Sequence, residues 1–383
     1  MIYELAQMED LQTVYDVVQH TIKTIYPKYY PAEVVDFFCE HHSREAIAKD
    51  IENGYVSVLK IDGNIVATGC FVDQHITRVY VLPEYQKKGY GTFIMKSIEA
   101  QIGDKYDKAY LDASLPAAAL YEKLGFSTIK HERYPVENGV ILAYEVMEKQ
   151  LHKVTDLQPW ECLMKRIVWK QLGDIHDKKI LDFGSGIGVT ANYLAENNDV
   201  TAIEPDVDSI KERWADNQYT QIAGSTDELR KFADETFDMI ICHNVLEYAQ
   251  DREDIVKEFA RILKSNGKIS IVKHNRAGRV MQMVVLLNDF EHAHSLLDGN
   301  DGMASKYGAI RYYEDVDIEK WCSELAITKT MGMRTFWDMQ QNQELHKDAD
   351  WQDKMVEIEM RVSDMDGYKD IAFFHHLMIE RRL

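Results

Sequence analysis

The chain lacks any long apolar run. No stretch approaches the ~20 apolar residues that a membrane-spanning helix needs, so no membrane partner is expected. It also lacks paired cysteines. Cys39, Cys70, Cys162, Cys242 and Cys322 are scattered, and no two form a CxxC pair. That pattern argues against a disulfide framework and a zinc site, and it suits free thiols in a reducing compartment. No metal is expected. Basic residues are in deficit, with 44 Lys+Arg against 64 Asp+Glu and a net charge of −20. The deficit is spread along the chain: residues 1–150 hold 15 basic and 22 acidic side chains. Non-specific binding to a polyanion is therefore disfavoured. There is no internal repeat and no low-complexity segment. The opening residues Met1-Ile2-Tyr3-Glu4 lack the basic region and apolar stretch of a secretory signal, and a cytoplasmic location is the expectation.

At 383 residues the chain is too long for one ordinary core, and two domains are expected. Both halves read as α/β. In the first, helical periodicity covers Leu11–Tyr26, Pro31–Cys39 and a short stretch after Ser43. Strand signals cover Tyr55–Ile61 and Ile65–Val72, joined through the hairpin turn Asp62-Gly63-Asn64. Ile76–Leu82, Lys108–Ala113 and Val140–Met147 read as further strands, with helices at Thr92–Ile102 and Ala117–Leu124. Glu148–Gln158 is polar and reads as a connection. The expected division is residues 1–148, a linker over 149–158, and a second domain over 159–383. From Lys179 a βαβ rhythm begins, which implies a parallel sheet covered by helices on both faces. A long polar helix is expected over Gln343–Ser363, between strands near Thr328–Thr335 and Ile371–Ile379.

Gln86-Lys87-Lys88-Gly89-Tyr90-Gly91 follows the apolar run Val79-Tyr80-Val81-Leu82 and opens a helix. Glycines there let the backbone come close to a phosphate, at the helix end that favours negative charge. The segment Val81–Gly91 resembles the CoA-binding signature of the GCN5-related N-acetyltransferase family. So does Ala113–Phe126 with Tyr121. The resemblance implies a mixed sheet with helices and acetyl-CoA as donor. It implies a pyrophosphate held by Val81 and Gln86–Gly91, and Tyr121 near the thioester sulfur as general acid. The acceptor would be a small-molecule amine. His75, Glu84 and Glu132 are candidate bases by type, with His75 the one carried forward.

The second signature is Asp182-Phe183-Gly184-Ser185-Gly186-Ile187-Gly188 at the end of a strand. Glu204 closes the next strand, where a carboxylate can accept both hydroxyl hydrogens of a ribose. A dinucleotide fingerprint wants a small residue where Val189 stands, which disfavours NAD. Ile180–Gly188, Ala202-Ile203-Glu204-Pro205-Asp206, Ala223-Gly224-Ser225 and Phe237–Tyr248 together resemble a class I S-adenosylmethionine-dependent methyltransferase. That implies a Rossmann-like doubly wound sheet with S-adenosylmethionine as donor. The residues implied to bind it are Asp182, Gly184, Ser185, Gly186, Gly188, Glu204, Pro205, Gly224, Ser225, His243 and Asn244. His243-Asn244 stands where many amino-group methyltransferases have Asp/Asn-Pro-Pro-Tyr, so an oxygen acceptor is favoured.

Lys273–Gly278, Asn288-Asp289-Phe290 and Gly332–Asp338 resemble the tRNA 5-carboxymethoxyuridine methyltransferase group. By that resemblance Arg334 and His274 or Asn275 lie near the acceptor, a carboxylate. A basic residue before the sheet meets the methionine carboxylate, with Arg166 preferred over its neighbour Lys165. The group's basic run after the Asn-Phe segment is replaced here by Leu297–Lys306. Residues 284–320 hold eight acidic and three basic side chains. Phosphate neutralisation dominates nucleic-acid affinity, so a small metabolite stands beside a modified tRNA base as acceptor. A non-catalytic cofactor-binding role for one domain is the rival from another functional class.

Overall fold

A computed structural model describes residues 1–304 and 308–382. Ser305 and Lys306, at the end of the Leu297–Lys306 segment, lie outside the described residues. The chain divides into two compact units, Met1–Lys153 and Val154–Leu383.

The first unit runs β1 (Ile2–Leu5), α1 (Leu11–Ile25), α2 (Ala32–His41), α3 (Arg44–Glu52), β2 (Val56–Ile61), β3 (Asn64–Val72), β4 (His75–Val81), α4 (Tyr90–Gly103), β5 (Lys108–Ala113), α5 (Leu115–Lys123), β6 (Ser127–Pro135) and β7 (Ile141–Gln150). The sheet order is β1-β2-β3-β4-β5-β7-β6. Every neighbour pair is antiparallel except β4 with β5. That parallel pair meets only at His75–Tyr110 and Ile76–Leu111. Beyond it the two strands no longer pair, and the sheet splits toward their carboxyl ends.

Local chemistry explains the elements. Buried Leu11, Val14, Val18 and Ile22 recur at helical spacing along α1. Ser43 caps α3 by accepting from the Ala46 amide at 3.3 Å. Asp62 and Gly63 both take positive φ in the β2–β3 turn, as a tight hairpin requires. Helix α1 packs on one apolar layer with Val34 and Ile47, and α4 on another through Ile94, Met95, Ile98 and Ile102. Strand β6 escapes sequence reading because it is a mostly exposed run that includes Lys130, His131, Glu132 and Arg133. Lys149 and Gln150, expected in the linker, instead complete β7. Lys149 is buried and donates to Glu99 at 2.7 Å.

The second unit runs α6 (Pro159–Leu172), β8 (Lys179–Phe183), α7 (Val189–Leu194), β9 (Asp199–Glu204), α8 (Val207–Lys211), β10 (Thr220–Ala223), α9 (Thr226–Leu229), β11 (Phe237–His243), α10 (Arg252–Ile262) and β12 (Leu263–His274). Then follow α11 (Arg276–Gln282), α12 (Phe290–Leu297), β13 (Gly302–Ala304), β14 (Gly308–Ile310), α13 (Asp317–Trp321), β15 (Leu325–Met333), α14 (Ala349–Val362) and β16 (Phe374–Arg381). The main sheet has the order β10-β9-β8-β11-β12-β16-β15. Strands β10 to β12 are parallel, and β16 is antiparallel to both neighbours. Chain order reverses between β8 and β11, the switch point where such sheets bind ligands. The expected helix over Gln343–Ser363 is shorter. A 3-10 turn covers Gln343–Lys347 and α14 starts at Ala349, because Asp348 caps it by accepting from Trp351 N at 2.7 Å. Among the described residues, no helix is long and apolar enough to cross a membrane.

Candidate active sites

In the first unit, β4 delivers the chain into the loop at Gln86. The Gln86 side-chain amide donates back to the Val81 carbonyl at 2.9 Å and braces the turn. Lys87 and Gly89 take φ of 61° and 84°. A Cβ at Gly89 would meet nothing within 4 Å, so conformation rather than crowding favours glycine there. The Lys88 ammonium lies 4.8 Å from the Tyr85 ring centre. Tyr90 and Gly91 open α4, whose first-turn amides have no partner inside the helix. The open loop and these amides fit a pyrophosphate.

Tyr121 sits on α5, 8% exposed, with its ring 6.1 Å from Phe126. Burial, reinforced by Tyr26, pushes its phenol well above the usual range. It therefore holds its proton at neutral pH, as a proton donor must. A buried hydroxyl cluster lies close by: Tyr26 Oη is 3.2 Å from both Tyr80 Oη and Ser114 Oγ. His75 is not brought to this loop. It begins β4, at the closed end of the split, stacked 4.4 Å from Tyr110 with Nε2 3.3 Å from the Asp112 carboxylate. Six residues of extended strand, about 20 Å, separate it from Val81. His75 is thus placed away from the loop that fits the pyrophosphate, beside Asp112. Glu84 lies in the short turn Pro83–Tyr85, and Glu132 pairs with Lys130 on β6.

In the second unit a cavity of about 490 Å³ lies at the switch point. Gly184, Ser185, Gly186, Glu204, Pro205, Gly224, Ser225, His243 and Asn244 all line it. The three loop glycines differ in role. All have positive φ. A Cβ at Gly184 would lie 2.3 Å from Val245, and one at Gly188 2.1 Å from Tyr219 Oη. At Gly186 nothing lies within 4 Å, so that position faces open cavity. Glu204 is fixed at both oxygens, accepting from Gly186 N at 2.7 Å and Asp206 N at 2.9 Å. Ser185 Oγ and Asn244 Oδ1 are buried without a hydrogen-bond partner among the described residues. Orphaned polar atoms on a cavity wall call for a polar ligand, and the donor set fits an adenosyl and amino-acid group.

Asp182 lies below the loop, buried, and does not line the cavity. Burial raises its carboxyl to about 6, with Lys165 pulling the other way. Lys165 lines the cavity and donates to Thr190 Oγ1 at 2.8 Å. Arg166 does not line it and pairs with Asp353. Consecutive helix residues point about 100° apart, and here that turn carries Arg166 away to Asp353 while Lys165 stays at the cavity. The preference for Arg166 is corrected to Lys165.

Arg334 is buried and ion-paired, not exposed. Nε donates to Asp338 Oδ2 at 3.0 Å and Nη2 bonds the other oxygen. Its φ is 58°. Glu359 secures the following turn by accepting from Thr335 N and Phe336 N, each at 2.8 Å. Arg334 packs 5.6 Å from the ring centre of the cavity-lining Trp160. His274 Nε2 is 3.3 Å from the hydroxyl of Tyr248, which also lines the cavity. Asn275 caps α11 and donates to the Asp370 and Ala372 carbonyls, so its side chain is committed to structure.

A buried chain that sequence reading missed fixes the state of His243. Gln171 Nε2 donates to the Gly332 carbonyl at 3.2 Å, which turns Gln171 Oε1 toward His376 Nδ1 at 2.8 Å. That nitrogen must carry the proton. Burial holds His376 down at about 3, so the ring is neutral and its Nε2 accepts from Ser270 Oγ at 2.7 Å. Ser270 Oγ then accepts from His243 Nε2 at 2.8 Å. His243 is left with an acceptor lone pair on Nδ1, which takes no hydrogen bond from the described residues. The four residues come from α6, β11, β12 and β16, so no local motif announces them. The one trace in the sequence is the pair His375-His376 inside the otherwise apolar run Phe373–Ile379.

Residues 52–128 match the acetyltransferase (GNAT) domain family, and residues 181–271 match the methyltransferase domain family. An N-alpha-acetyltransferase of Saccharolobus solfataricus is 28% identical over 139 residues, covering 33% of this chain and 79% of that protein. A tRNA 5-carboxymethoxyuridine methyltransferase of Escherichia coli K12 is 22% identical over 232 residues, covering 56% of this chain and 87% of that protein. A ubiquinone biosynthesis O-methyltransferase of Klebsiella pneumoniae is 26% identical over 144 residues, covering 36% of this chain. The match spans only 57% of that relative's length. The chain thus joins an acetyltransferase (GNAT) domain to a methyltransferase domain.

Proposed function

We propose that the chain is a bifunctional transferase acting on two acceptors of different chemistry. Residues 1–148 move acetyl from acetyl-CoA to a small-molecule amine. Residues 159–383 move methyl from S-adenosylmethionine to an oxygen of a small metabolite. The observation that carries the methyl half is the open Gly186 position beside the doubly anchored Glu204 carboxylate.

Acetyl-CoA supplies an activated acyl group when bound. The amides around Gly89–Gly91 take the phosphates, and Tyr121, protonated, is placed as the proton donor. S-adenosylmethionine supplies an electrophilic methyl group when bound. Glu204 is the acceptor for ribose hydroxyls. Lys165 is the cation for the methionine carboxylate, in place of Arg166. Ser185 Oγ and Asn244 Oδ1 remain for the ligand's other polar atoms. His243 Nδ1 offers a lone pair to a donor group in the cavity. Trp160 and Met164 on α6 help close the wall against water.

Calorimetry tests this reading. Wild-type chain binds S-adenosylmethionine, and Gly186→Val, with a branched side chain in the open space, does not. Unchanged affinity in that variant would remove the site.

The likeness to the E. coli tRNA enzyme over 232 residues favours a second reading, with a modified tRNA base as methyl acceptor. The acidic 284–320 segment speaks against it. That reading requires tRNA binding that weakens steeply with salt, measurable by filter binding. A purely cofactor-binding role for either domain predicts donor affinity without transfer to any acceptor.

A further inference from the structure

Two arginines near the methyltransferase cavity differ in one respect. Arg334 spends its Nε/Nη2 edge on Asp338. That is the side-on geometry in which a guanidinium holds a carboxylate. Arg279, on α11, presents the same edge with nothing on it. Its Nη1 donates to Gln282. Among the described residues its buried Nε has no partner and no acceptor meets Nη2. The carboxylate of Asp338 is engaged by Arg334 and by Gln282 Nε2, the latter at 2.8 Å. A partly buried guanidinium without a counter-ion is costly.

Two more orphaned atoms lie around it. Tyr312 Oη and His274 Nδ1 are both buried with no hydrogen-bond partner among the described residues. Arg279 lies 5.8 Å from the ring centre of Phe373, and the His274 ring centre is 5.7 Å from Phe373 and 6.5 Å from Tyr312. Three unmet polar atoms on neighbouring buried side chains are uncommon in a folded interior. One ligand oxyanion can satisfy the arginine edge and the tyrosine together.

We propose that Arg279, Tyr312 and His274 form an anchoring subsite for a carboxylate substituent of the methyl acceptor, separate from the oxygen that is methylated. The separation follows from position. None of the three lines the cofactor cavity, and His274 is bonded to Tyr248, which does. The identity of the ligand as methyl acceptor rests on the methyltransferase reading, but oxyanion binding is measurable without any methyl donor.

The test uses the full chain labelled with 15N-arginine, followed by proton–nitrogen NMR of the guanidinium Nε–H signals. Arg279→Lys or Arg279→Gln assigns the resonance by its loss. Adding benzoate is expected to move that resonance saturably, and benzamide, which lacks the charge, is expected to leave it unmoved. By calorimetry, either variant should bind benzoate about tenfold more weakly than the wild type, or worse, as the loss of charge-assisted bonds implies. No saturable shift, or an equal shift with benzamide, overturns the subsite. Inorganic phosphate saturating the signal at lower concentration than benzoate overturns the carboxylate assignment. A separate titration with S-adenosylmethionine tests the methyltransferase reading, so the two failures are distinguishable.

Discussion

The Glu204 carboxylate accepts the Gly186 amide at 2.7 Å, so the residue proposed to hold a ribose also tethers the glycine loop. The loop is therefore set before any ligand arrives. Its three glycines should separate by experiment. Gly186→Ala pays only for positive φ, about 1 kcal/mol of stability, and should fold. Gly184→Ala and Gly188→Ala carry the same strain plus overlap with Val245 and Tyr219. They should melt at clearly lower temperature than Gly186→Ala. Equal melting of all three contradicts the division of roles.

Lys165 and Arg166 are neighbours with opposite fates. Lys165→Met should weaken S-adenosylmethionine binding about tenfold, the scale of one charge-assisted bond. Arg166→Met should leave it unchanged, since its partner is Asp353 outside the cavity. Calorimetry on both variants decides, and the reverse order would restore Arg166.

Tyr121→Phe removes the phenol and keeps the ring against Phe126. Acetyl transfer to an amine should slow by about 100-fold, the lower end for a general acid, while acetyl-CoA affinity is kept. Unaltered turnover with any accepted amine would remove Tyr121 as proton donor.

His376 gives a pH signature. Its folded value is depressed to about 3 from an ordinary 6.5. The unfolded chain therefore binds a proton there between those values and the folded chain does not. Its stabilising contribution is full above about pH 6.5 and is lost as pH falls toward 3. His274, also held at about 3, acts in the same direction. Urea midpoints at pH 7.5 and 5 should differ less in His376→Gln than in the wild type. An unchanged difference would mean that His376 is not buried neutral.

The cofactor loops were legible because each is a local run. Gln86–Gly91 and Asp182–Gly188 encode their own turns, and Glu204 follows at the spacing a βαβ unit imposes. The rest of the two sites was not legible, for physical reasons. Lys165 and Arg166 are adjacent, and only the helix phase distinguishes them. His75 lies on the right strand but at its closed end, and residue type carries no distance. Arg334 reads equally as an acceptor-facing cation or a salt-bridging surface residue, and the fold shows it buried on Asp338. The Gln171–His376–Ser270–His243 chain joins residues up to 205 positions apart. The elements between Arg276 and Trp321 are short, and strand β6 is polar, so periodicity could not announce them.

The central claim is that one chain holds two independent donor sites. Titration of the full chain with acetyl-CoA and then with S-adenosylmethionine, by calorimetry, tests it most directly. Two saturable isotherms are expected, each unaffected by the presence of the other donor, with Gly186→Val losing only the S-adenosylmethionine isotherm. Binding of one donor alone, or loss of both isotherms in a folded Gly186→Val, would contradict the account.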